Sequence, residues 1–233
     1  MEKHKSLRCV LIIMGLFLTG ACLAQTAQEP QDDCTREKLV SHFIAKIKSW
    51  RFTESDAEAI AEDCGIDALP ALTDILNDGQ TPPLARGFAA MCIGKTGQPE
   101  SAKTIIQFIE KPRSEPIVST DEFVSFQLAM YGLAYIGTDE CIAFLKTLCS
   151  EDYWLNRDDR AMFYPDEALD SSDKYRPHIN NWCRAAVAGL GALDPPKALE
   201  ELNALRGTPT VAGIENSVEG CTTSVQKELE SQL

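Results

Sequence analysis

Three stretches of this chain repeat one another, and a chain built from such copies folds by stacking units rather than by wrapping one central core. They are RGFAAMCIGKTGQPESAKTIIQFIE (86–110), FQLAMYGLAYIGTDECIAFLKTLC (126–149) and CRAAVAGLGALDPPKALEELNAL (183–205). When Ile93, Leu133 and Leu190 are aligned, the small residues Gly94, Ala134 and Gly191 come next. Three positions further on stand the turn formers Gly97, Gly137 and Asp194, and beyond them the apolar Ile105, Leu145 and Leu202. A fainter copy runs through AIAEDCGIDALPALTDIL, with Gly65 at its turn.

Each copy reads as a small-residue-rich helix, a tight turn and a second amphipathic helix. Ala, Gly and Ser on the first helix let a neighbouring helix come close, and Gly or Asp in the turn accepts unusual backbone angles. Pro99 and Pro196 suit the first turn of the second helix, where the missing N–H costs nothing. One such hairpin cannot bury its own apolar face, whereas a stack can. The expectation is an all-α fold, an α-solenoid of stacked antiparallel helix hairpins over residues 34–233.

In Arg86, Ala89, Ala90, Ile93, Gly94, Gly97, Pro99 and Ala102, and again in Arg184, Ala185, Ala186, Leu190, Gly191 and Pro196, the chain resembles HEAT repeats. The likeness is to the short bacterial HEAT-like type also found in phycobilisome lyases, and it covers about Ser55 to Gly207. It implies a protein-binding scaffold. Lyase activity is not implied, because only the generic repeat matches.

Ahead of the copies, Leu39, Val40, Phe43, Ile44, Ile47 and Trp50 form one apolar helical stripe, and Ser55 with Glu58 reads as a capping box. Helices are expected near 36–49, 55–64, 67–77, 84–95, 99–110, 121–135, 138–149, 180–191, 196–206 and 217–231, with essentially no sheet. Gly94 to Ala134 spans 40 residues, but Ala134 to Gly191 spans 57, so an irregular insertion falls at about 150–178. It carries Tyr153, Trp154, Phe163, Tyr164 and Tyr175 among many acids, and long irregular segments of this kind are often functional. These aromatics are the candidate partner-binding residues; the alternative is that they cover the edge of the solenoid.

The N-terminus differs from the rest. Lys3, Lys5 and Arg8 precede an apolar run from Cys9 to Leu18 and the small residues Thr19, Gly20 and Ala21, the order of a secretory signal peptide over residues 1–24. Cleavage after Ala24 is one route. The other is lipidation of Cys22, since Thr19-Gly20-Ala21-Cys22 resembles a bacterial lipobox with Thr19 where leucine is usual. Residues 25–33, QTAQEPQDD, read as a flexible tether. No later stretch of about twenty apolar residues exists, so no transmembrane segment is expected in the mature chain. The expected location is exported: periplasmic, envelope-attached or secreted.

Removing the first 24 residues leaves 19 basic and 34 acidic side chains, and the formal charge moves from −13 to −15. Nucleic-acid binding needs a basic footprint, so it is not expected.

Nine cysteines, seven of them beyond Ala24, are dense for a reducing compartment and natural in an oxidising one. Cys34 precedes the helix at 36–49 and Cys64 ends the helix at 55–64, so hairpin geometry pairs them. Cys149 ends one helix and Cys183 stands near the start of the next first helix, which predicts a second pair. Cys92 and Cys141 sit at core positions, and Cys221 is the candidate unpaired thiol.

Motifs for chemistry are missing: no Cys-x-x-Cys, no His-Glu-x-x-His, no Gly-x-Ser-x-Gly and no phosphate-binding loop. His42 lies in the apolar first helix and His178 at the edge of the insertion, and neither reads as a catalytic base. The carboxylates Asp152, Asp158, Asp159, Asp166, Glu167, Asp170 and Asp173 read as solvated charge rather than a calcium loop. No residue is therefore assigned to catalysis, a cofactor or a metal. The expected function is an exported scaffold for an unknown protein partner. The alternative is an enzyme or small-ligand-binding protein with a pocket under the insertion.

Overall fold

A computed structural model describes residues 34–49, 52–163, 172–211 and 213–232, and every regular element in them is helical. The expected signal peptide and tether, Cys22, Trp50 and Tyr164 lie outside the described residues. The helices are α1 Arg36–Ser49, α2 Glu54–Cys64, α3 Leu69–Asn77, α4 Pro83–Lys95, α5 Ala102–Glu110, α6 Thr120–Ile136, α7 Asp139–Leu148, α8 Glu151–Leu155, α9 Arg160–Phe163, α10 Ser172–Gly191, α11 Pro195–Leu205 and α12 Glu215–Ser231. Among the described residues no helix is long and apolar enough to cross a membrane.

Local chemistry sets most of the boundaries. The Thr53 backbone N–H donates to the Asp56 carboxylate at 2.7 Å, so α2 is capped by Thr53 and Asp56 rather than by Ser55 and Glu58. Ser119 and Thr138 accept backbone N–H bonds from Glu122 and Cys141 and open α6 and α7. Gly137 ends α6 at φ 65°, a left-handed angle that any side chain would resist. Pro195 and Pro196 occupy the first turn of α11.

Among the described helices the most extensive contact is between α4 and α6. A methyl built on Gly87 would lie 2.8 Å from the Ser125 Cα, and one on Gly94 would lie 2.3 Å from the Gly132 carbonyl oxygen. Both contacts join residues 38 apart, so the two helices run parallel and touch backbone to backbone. Next, α10 lies on α6 and α7, where Gly189 sits against Met130 and Leu145. The second helices follow, with α3 against α4, and α11 against α10 and α12. Phe43, Phe52 and Phe88 close the N-terminal end, the last two stacked at 3.8 Å.

The segment expected to be an irregular insertion is different in the structure. Its described part holds α8 and α9, and the following helix begins at Ser172, not near 180. Trp154 is fully buried, stacks on Trp182 at 5.2 Å, and donates its indole N–H to the Leu148 carbonyl at 2.9 Å. Phe163 packs edge-on against Phe126 and Trp182. Burying two such rings requires a regular backbone that satisfies its own polar groups, so the segment turns helical where its aromatics point inward.

Cys34 and Cys64 are joined by a disulfide, with Cα atoms 5.7 Å apart. The second expected pair is not formed: Cys149 and Cys183 are both free, buried thiols. Cys183 lies within α10 and not at a helix start, while Cys149 directly follows α7. Cys92 and Cys141 are buried in the core, and Cys221 is a half-buried free thiol.

Candidate functional site

The site with the least satisfied chemistry is a cavity of about 270 Å³ where the end of α3, the start of α4 and the end of α5 meet the loop 111–119. Arg86 of α4 and Arg113 of the loop face it, with Lys111, Leu76, Phe108 and Glu122 around them. Pro83 stands in the first turn of α4, and Arg86 follows one turn later, below the buried Ala85 and Phe88.

Both guanidinium groups are incompletely bonded. The Nε atoms of Arg86 and Arg113 are buried and have no hydrogen-bond partner. Arg113 gives its Nη2 to Glu122 at 2.5 Å and lies over the Phe126 ring at 5.4 Å. Arg86 lies 5.8 Å from the centre of the Phe108 ring and, among the described residues, forms no ion pair within 4.0 Å. Burial first, and then the like charge of Arg113, push the Arg86 pKa down, against the pull of Glu122 and Asp78. An arginine stays protonated regardless, so the consequence is a charge held partly out of water with too few acceptors.

The inserted segment holds the cavity's loop in place. Asp159 accepts the backbone N–H of Arg113 at 2.9 Å, and the Ile117 N–H donates to the Met162 carbonyl at 2.6 Å. Arg157 grips Asp159 through its Nε at 2.7 Å and reaches the last carbonyls of α5, Ile109 at 3.5 Å and Glu110 at 3.4 Å. Burial works to raise the Asp159 pKa, but the Arg157 and Arg113 hydrogen bonds outweigh it and hold the carboxyl below the usual range. Arg157 also caps the aromatic cluster, 4.6 Å over Phe163.

The residues expected to bind a partner therefore divide. Trp154 and Phe163 are core. Tyr153 is half-buried, hydrogen-bonded by Arg157 at 3.0 Å, and lines an open cleft of about 670 Å³ with Lys146, Asn156, Leu205 and Thr210. Lys146 in that cleft is paired with Glu201 at 2.9 Å. The side chains of Tyr175 and His178, like Tyr164, lie outside the described residues. Of the acids, Asp152 and Asp158 are exposed, Asp159 does the bracing, and Asp166, Glu167, Asp170 and the Asp173 side chain lie outside the description. His42 is exposed on α1. Among the described residues no group of three or more His, Cys, Asp or Glu side chains is placed to hold a metal ion.

Sequence reasoning picked out Arg86 only as part of the repeat pattern and missed Arg113 and Lys111. The available signal was Lys111-Pro112-Arg113, two basic residues flanking a proline directly after α5 in a strongly acidic chain.

The described residues are all-helical in their regular structure, with parallel, backbone-close helices and an arginine-lined cavity. Comparison with protein-family models, with curated proteins and with solved structures gave no match.

Proposed function

We propose that this chain is an exported α-helical repeat scaffold of the HEAT-like kind, a stack of hairpins that binds another protein along its extended surface. The observation that carries the reading is the contact of α4 with α6. Two equivalent first helices lie parallel and touch at a constant 38-residue separation, as neighbouring units of a stack do. The filled aromatic core of Trp154, Phe163 and Trp182 supports it further. The inserted segment then acts as a brace, with Trp154 and Phe163 packed on Trp182. Export rests on the basic, apolar and small-residue order of the first 24 residues and on a cysteine content suited to an oxidising compartment.

Two measurements test the proposal. Intact mass of the protein from the envelope or medium of a secreting host should show residues 1–24 removed, or residues 1–21 removed with a lipid on Cys22; a chain still beginning at Met1 there would contradict export. Capture from native envelope extracts should retain one stoichiometric protein on the folded chain and not on a heat-unfolded control. Equal retention by both, or none by the folded chain, contradicts the scaffold reading.

A further inference from the structure

We infer that the groove between α6, α10 and α12 is where the partner docks, and that it takes a polypeptide segment carrying a lysine or arginine side chain; this rests on the scaffold reading above and gives it a surface. The groove, of about 430 Å³, is lined by Tyr131 and Tyr135 of α6, Glu228 of α12 and Glu54 of α2, and no base lines it. Three other clefts among the described residues each hold at least two bases: Arg86 and Arg113, Lys146 and Arg157, Lys38 and His42. The chain itself shows what these groups accept. The Lys95 ammonium lies 3.7 Å from the centre of the Tyr135 ring and pairs with Glu54, and with Glu58 at 2.8 Å. Tyr131 and Glu228 offer the same two kinds of group. Glu228 is exposed and, among the described residues, forms no ion pair within 4.0 Å.

Gly220 is a glycine that the fold does not require. Gly87, Gly94, Gly132 and Gly189 each stand where a methyl would crowd a neighbouring helix. Gly220 stands inside α12, exposed, and a methyl there would meet nothing within 4 Å. Glycine in a helix interior weakens the helix relative to alanine, and here packing within the chain returns nothing for that loss. Gly220 lines the groove with Ala188, Gly191 and Ala192. Side chains this short leave room for another main chain to come against the helices, which favours a polypeptide over a free amine. A second copy of this chain fits poorly. Without residues 1–24 the formal charge is −15, so two copies repel, while the same field draws a basic segment in.

Selection of random dodecapeptides displayed on phage, against the full folded chain, supplies the probes. Enriched peptides should share a lysine or arginine at one recurring position. Synthesised, they should bind one per chain by isothermal titration calorimetry, more weakly as salt rises, and norleucine at that position should abolish binding. Gly220→Gln puts a side chain into the groove and improves the helix. It should weaken the peptides about tenfold or more, while its urea midpoint stays at or above that of the wild type. Glu228→Lys should weaken them about fivefold or more. Glu110→Lys, the same change of charge at the exposed end of α5, should leave affinity near that of the wild type. The inference is overturned if no peptide is enriched, if the enriched peptides share no base, or if either Gly220→Gln or Glu228→Lys binds like the wild type. It is also overturned if the wild type sediments as a dimer that Gly220→Gln dissociates, which names a second copy as the occupant. Peptides that bind the wild type and both variants equally sink the groove and leave the scaffold reading standing, because they place a partner elsewhere on the chain.

Discussion

Gly94 of α4 rests on the backbone of Gly132 of α6, so closely that a methyl on Gly94 would lie 2.3 Å from the Gly132 carbonyl oxygen. A methyl on Gly132 would in turn lie 2.4 Å from the Ala90 carbonyl oxygen. Neither obstacle is a flexible side chain, so the helices themselves must separate. Gly94→Ala and Gly132→Ala should each destabilise by about 1–3 kcal/mol, the usual cost of overpacking, despite alanine's better helix propensity. The urea midpoint measures it. Gly220→Ala on α12, where a methyl meets nothing within 4 Å, should instead be neutral or stabilising.

The disulfide between Cys34 and Cys64 ties the start of α1 to the end of α2 across 30 residues. Closing a loop of that length removes entropy from the unfolded chain, worth about 3–4 kcal/mol in the chain-entropy model. Cys34→Ala with Cys64→Ala, or reduction of the wild type, should lower stability by about that amount in denaturant titration. The buried Cys149 and Cys183 should resist alkylation in the native state, since burial pushes both thiols up, Cys183 to about 12.

Trp154 is sealed in the aromatic cluster, with its N–H bonded to Leu148. Trp154→Ala should cost about 3–5 kcal/mol, in the range of large aromatic deletions. A surface aromatic would cost far less, so thermal or urea unfolding distinguishes a core role from an interface role.

Asp56, Asp159 and Glu201 are all held below their ordinary pKa, in each case because hydrogen bonds from Lys or Arg partners overcome the opposing effect of burial. A carboxyl with a depressed folded pKa contributes stability that is complete above its unfolded value, about 3.9 for Asp and 4.3 for Glu, and that is lost as pH falls toward the folded value. Stability should therefore hold from neutral pH to about 5 and drop below about 4. Asp159→Asn should flatten part of that acid-side slope and loosen the Arg113 loop, seen as faster amide exchange at Arg113 while the amides of α7 remain protected.

Helix positions followed from periodicity, caps and turn residues, because these act within a few neighbours along the chain. Gly137, Pro196 and the small residues of 86–94 all took the places their chemistry implied. The contact of Gly94 was not legible in the same way. Repeat alignment sets Gly94 opposite Ala134, whereas packing sets it against Gly132, since equivalent positions in neighbouring helices need not be the positions that touch. The inserted segment went further astray: a cluster of aromatics and acids reads alike whether it faces a partner or the core.

By itself, then, the sequence determined that the described chain is helical, roughly where the helices outside the inserted segment begin and end, and that Cys34 would meet Cys64. Those outcomes depend on local backbone preferences and on one short hairpin closure. Only the tertiary structure decided that Trp154 and Phe163 point inward, that Cys149 and Cys183 are buried free thiols, and that Asp159 reaches across 46 residues to brace Arg113. It also decided that Arg86 becomes half-buried with its Nε unpartnered. The physical reason is that desolvation and hydrogen-bond supply depend on what arrives from distant parts of the chain. A residue's own neighbours in sequence do not specify either.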